Sequence, residues 1–127
     1  MSIEIKETFQ ERTHLEEILQ KKVKEKRYLS AIKLAQTLKL PQEKIRNLQE
    51  LALKQIAFEY RNAAAARNLA REWGFARADL ENLLYAGLAE YEELSGKKHL
   101  EQAYDIATGK YLTLRQWVDQ FLNARNK

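Results

Sequence analysis

AIKLAQTLKLPQEKI, residues 31–45, is the stretch on which the fold turns. Two later stretches follow its plan: ARNLAREWGFARADL at 66–80 and AYDIATGKYLTLRQW at 103–117. Each opens Ala-x-x-(Leu/Ile)-Ala, places an apolar residue five positions on, and another five after that. Those pairs are Leu40 and Ile45, Phe75 and Leu80, Leu112 and Trp117. The copies begin 35 and 37 residues apart. A repeat of that length, with a helix pair per copy, is the sequence mark of an α-solenoid. The small alanines let paired helices approach closely, and the larger residues fill the seam to the next pair.

Outward from these copies, apolar residues recur every three or four positions, the helical period. The spacing predicts helices over 7–25, 28–38, 41–60, 62–73, 77–94 and 98–108, and a last one from Thr113 to about residue 125. Pro41 suits a first helical turn. Gly74 suits a C-terminal cap, and Thr113 an N-cap. The expected fold is therefore all-α: a right-handed α-α superhelix of about three antiparallel helix pairs (7–39, 41–74, 77–109) plus a C-terminal capping helix (113–125), all in one domain.

Composition agrees with that expectation. In 127 residues, 45% are hydrophobic and 31% charged, which is a globular balance. Four glycines and one proline leave little punctuation for a hairpin-rich fold. With no cysteine, disulfides and thiolate metal sites are excluded. Met1–Lys6 is polar and carries Glu4, unlike a signal peptide, and no apolar run approaches the roughly 18 residues of a membrane span. The expected location is the cytoplasm, with no membrane partner.

The chain also resembles the tetratricopeptide-repeat group of helical hairpins. The stretch that carries the resemblance runs from Leu84 to Leu112, through Ala86, Leu88, Ala89, Tyr91 and Gly96, then Leu100, Ala103, Tyr104 and Ala107. Two departures are the extra residues between Tyr91 and Ala103 and the Arg61-Asn62 pair where the group carries a glycine turn. The resemblance implies a module that binds peptides or protein surfaces, with no cofactor.

Catalytic signatures do not emerge. Glu11-x-x-His14 has the spacing of a di-iron ligand pair, but that chemistry needs two such motifs and two further glutamates. Three serines, none in a Gly-x-Ser-x-Gly elbow, and no glycine-rich phosphate loop leave no nucleophile or phosphate cradle. Glu92 and Glu93 are adjacent on a helix and diverge. The expectation is a protein that is not an enzyme and uses no cofactor or metal.

A second interpretation concerns nucleic acid. Ala70, Gly74 and Leu80 have the spacing of a DNA-binding helix-turn-helix, with Leu69, Trp73 and Leu83 apolar beside them. The other two copies place Lys39 and Tyr111 where Gly74 stands, a position that favours positive φ. The copy with glycine leads into Arg77-Ala-Asp79-Leu-Glu81, with acids where phosphates would lie. The first copy leads into Gln42, Lys44, Arg46 and Asn47, which suit a polyanion better.

Charge is unevenly distributed. Gln20–Arg46 holds nine basic residues against two acids, while Asp79–Glu93 holds five acids and no base. The basic end can be a solvated face, a dock for an acidic partner or nucleic acid, or one half of a contact between copies of the chain. Candidate partner-binding residues are Lys22, Lys26, Arg27, Lys44 and Arg46 in the basic run, and Arg67 and Arg71 one turn apart on the alanine-rich helix. Trp73, Tyr85, Tyr91, Tyr104, Tyr111, Trp117 and Phe121 are expected in the core.

Overall fold

The computed structural model describes residues 9–123. In chain order it contains α1 (Phe9–Lys24), α2 (Tyr28–Thr37), α3 (Gln42–Phe58), α4 (Ala63–Glu72) and α5 (Arg77–Leu94). A 3₁₀ turn (Gly96–Leu100), strands β1 (Ala103–Asp105) and β2 (Lys110–Leu112), and α6 (Leu114–Asn123) complete it. The protein is mostly helical, and the helices expected from spacing stand within two residues of their expected bounds wherever those bounds are described. The expectations for Met1–Lys6, for a start at Glu7 and for an end near residue 125 lie outside the described residues.

The exception is 98–108, which is not a helix. Gly96 turns the chain at φ +60° into the 3₁₀ turn, and the segment then forms an antiparallel hairpin. Its register pairs Ala103 with Leu112, Tyr104 with Tyr111, and Asp105 with Lys110. The turn is built by Asp105, whose carboxylate accepts from the Thr108 amide at 3.0 Å and the Thr108 hydroxyl at 2.7 Å. The Asp105 carbonyl accepts from the Gly109 amide at 2.7 Å, and Gly109 takes φ +72°. An aspartate bonding its own turn competes with helix, and tyrosines favour the pleated strand. The third helix pair, 77–109, therefore lacks its second helix, and the third copy of the repeat becomes hairpin and helix start.

Contacts divide the chain into two compact units, one up to Ala52 and one from Leu53, with the boundary inside α3. In the first unit α1 packs on α2. Its core is Ala31, Ile32, Ala35 and Leu38, joined by Ile45 and Leu48 of α3. In the second unit α5 packs on α6 and the 3₁₀ turn, and α6 packs on β2. Leu84, Leu88, Trp117 and Val118 are each no more than 3% exposed there. Burying such a side chain contributes roughly 1.5–3 kcal/mol. Gly87 belongs to this packing, since a Cβ on it would lie 2.7 Å from the Phe58 ring.

Two helix starts carry side-chain caps. The Asn62 carboxamide oxygen accepts from the Ala65 amide at 3.1 Å and starts α4. Thr113 and Gln116 form a reciprocal capping box at α6: the Thr113 hydroxyl accepts from the Gln116 amide, and the Gln116 side chain accepts from the Thr113 amide. The expected Thr113 cap is thus present. Asn62 and Thr113 each contribute about 1 kcal/mol as caps.

Candidate functional site

The turn between α2 and α3 repeats, bond for bond, the turn between α4 and α5. The Leu38 amide donates to the Leu34 carbonyl, Lys39 to Gln36 and Leu40 to Ala35. In the second turn Trp73 donates to Leu69, Gly74 to Arg71 and Phe75 to Ala70. Both are Schellman closures, which need a left-handed residue at the pivot. Gly74 supplies φ +75°, and Lys39, despite its side chain, supplies φ +56°. The geometry that residue type argued against in the first copy is present. Ala35, Leu38, Ile45 and Leu48 are buried across this first turn.

From that turn the chain enters α3 through Pro41, whose carbonyl accepts from the amides of Lys44 and Ile45. Gln42, Glu43, Lys44 and Asn47 are exposed on its first turns, and Arg46 is half-buried. Lys44 and Asn47 border a shallow groove of about 580 Å³ in this unit, floored by Leu19, Val23 and Leu48 and flanked by Glu16 and Lys24. Arg12 of α1 donates to the Leu38 carbonyl at 2.9 Å, which ties α1 to the pivot.

The basic candidates divide into two groups by environment. Lys44 is exposed and, among the described residues, makes no ion pair; the same holds for Lys39. Lys22 is half-buried in the last turn of α1. Lys26 is exposed at φ +62°, and Arg27 follows it, with its guanidinium 3.8 Å from Glu25. Lys26 and Arg46 are both engaged in interactions within the fold. Glu11 and His14 lie exposed on α1.

Arg67 and Arg71 come together in the second unit, where Arg77 joins them around a pocket of about 230 Å³. Spacing revealed the first two but not the third, which arrives from the next helix.

Several ionisable groups of the second unit are engaged in bonds between elements. Arg115 of α6 grips Glu92 in a two-bonded fork at 2.8 and 2.9 Å, and these bonds hold the Glu92 carboxyl below its ordinary value. The same bonds raise Arg115. Tyr85 donates to Asp119 at 2.6 Å, which pushes its phenol above the ordinary value. Arg61, at φ +48°, donates to the Leu112 carbonyl at 2.9 Å; burial lowers its pKa.

The aromatic expectations hold in part. Trp117 and Phe121 are buried, and their rings stack 5.2 Å apart at 5°. Tyr104 and Tyr111 are not core: they are 56% and 64% exposed and meet edge to face across the hairpin. Ile106 at the hairpin tip is 87% exposed. The Asp105-x-x-Thr108-Gly109 turn was the signal for this placement.

Among the described residues, no helix is long and apolar enough to cross a membrane. Comparison with protein families, curated proteins and solved structures finds no match.

Proposed function

We propose that the protein binds duplex nucleic acid through α2, the Lys39 turn and α3, with the start of α3 entering a groove. The observation that carries this reading is the left-handed Lys39 turn between α2 and α3, whose closing bonds match those of the Ala70–Leu80 copy that has the helix-turn-helix spacing. Charge supports it, since this element lies within the basic run Gln20–Arg46. Exposed Gln42 and Asn47 have the amide chemistry that pairs with adenine edges, and Lys39 and Lys44 the charge that neutralises phosphates. The matching turn between α4 and α5 opens toward Asp79 and Glu81 and does not suit a polyanion.

Fluorescence anisotropy of a labelled duplex, titrated at low and physiological salt, tests the proposal. The expected result is micromolar or tighter binding at physiological salt, with a steep inverse salt dependence. The double variant Lys39→Ala, Lys44→Ala then lowers affinity at least about tenfold and reduces the log–log salt slope by about two. Equal binding by the variant, or binding lost on modest salt addition, counts against it.

A second reading, a module for a protein or peptide partner, draws on the hairpin. Tyr104, Ile106 and Tyr111, with Leu100 at 60% exposure, present apolar and aromatic surface of the kind found at partner interfaces. The helical-repeat form of this reading loses its third copy, because 103–112 is a hairpin.

A further inference from the structure

The pocket of the second unit is lined by Arg67, Arg71 and Arg77 over an apolar floor that includes Phe75, Leu80 and Phe121. Each arginine is held or left open in a different way. The Arg67 guanidinium lies 5.0 Å above the Phe121 ring, whose ring in turn stacks on Trp117. A guanidinium resting on an aromatic face keeps its planar fork in one orientation, so less freedom is lost when it binds an anion. Arg77 is pinned by Glu81 at 2.9 Å and by the Leu122 carbonyl at the end of α6. Glu81 is thereby occupied. Arg67 and Arg71 make no ion pair among the described residues, and Arg71 is exposed.

Two unneutralised forks one helical turn apart carry two positive charges, and a carboxylate brings only one negative charge on two oxygens. A phosphomonoester offers three oxygens and up to two charges, enough for both forks at once. The volume is below the roughly 300–1,000 Å³ of pockets for drug-sized ligands, which leaves room for one ring and one phosphate. We infer that this pocket binds a small aromatic phosphomonoester, its phosphate held by Arg67 and Arg71 and its ring against Phe75 and Leu80. The site belongs to α4, α5 and α6 and does not rest on the nucleic-acid proposal.

The test is an NMR titration of the full ¹⁵N-labelled chain with phenyl phosphate, reading the side-chain Nε–H signals of Arg67 and Arg71. Inorganic phosphate and benzyl alcohol run in parallel. Expected is saturable binding of phenyl phosphate with Kd below about 1 mM. Inorganic phosphate should bind at least about tenfold more weakly, because the floor contributes. Benzyl alcohol should leave both signals in place. Arg71→Gln, at an exposed position, should keep the thermal midpoint and weaken phenyl phosphate about tenfold, as should Arg67→Lys, which keeps charge but loses the fork. Absence of saturable binding overturns the inference. So does equal affinity for inorganic phosphate or benzyl alcohol, or undiminished binding by Arg71→Gln.

Discussion

Lys39 concentrates the physics of the first unit in one residue. A side chain in the left-handed region costs roughly 1–2 kcal/mol, because Cβ crowds the following carbonyl. Here that cost is offset by three closing hydrogen bonds and by burial of Leu38 and Ile45 on either side of the pivot. Replacing Lys39 with glycine should raise stability by about 0.5–1 kcal/mol, the strain relief less the extra chain entropy. Lys39→Val should lower it by about 1–2 kcal/mol, because a β-branched residue fits this region worst. Urea denaturation with unchanged m-value measures both, and equal stability of the three proteins would contradict the strain. This is also where residue type misled. The pivot was legible as a turn from Leu38 to Pro41, yet lysine spoke against its left-handed geometry, since tertiary packing and not the pivot residue decided the matter.

Among the elements, helices were legible and the hairpin was not. The three- to four-residue spacing of apolar side chains is strong over 15–55 and 80–94, and helices stand there. Over 98–108 the same spacing was present in Leu100, Ala103 and Ala107, but local side-chain bonds of Asp105 and paired tyrosines outweighed it. The repeat pattern, extended across a third copy, treated alignment as if it were structure. The pairing of α5 and α6 could not be read from sequence at all, as Glu92 and Arg115 are 23 positions apart. That ion pair has a pH signature. Since the Glu92 carboxyl is held below its ordinary value, its contribution is present at neutral pH and is lost as pH falls through its folded value. Arg115 is 48% exposed and Glu92 24%, so solvent screening limits the contribution to about 0.5–1 kcal/mol. Arg115→Gln should therefore be less stable than the parent at pH 6, and the gap should narrow as pH falls below the ordinary carboxylate range. Thermal melts of both proteins at pH 6 and in acid check it; a gap unchanged in acid would show that Arg115 acts through packing instead.

For the whole molecule, the charge pattern separates two turns of the same design. The copies at 31–45 and 66–80 close with matching hydrogen bonds, but the first lies within the basic run Gln20–Arg46 and the second leads into acids. That division was visible in the sequence. The arginine pocket was visible only in part, because Arg77 and Phe121 reach it from other helices. Duplex binding at the Lys39 turn is read most directly from a ¹⁵N–¹H correlation spectrum of the full chain with and without an equimolar DNA duplex at low salt. Binding through the Lys39 turn and the basic run should concentrate shifts at Lys39 to Asn47 and along Lys21 to Arg27, with α5 and the hairpin unmoved. No shift at 39–47, or shifts confined to residues beyond Leu53, would contradict it.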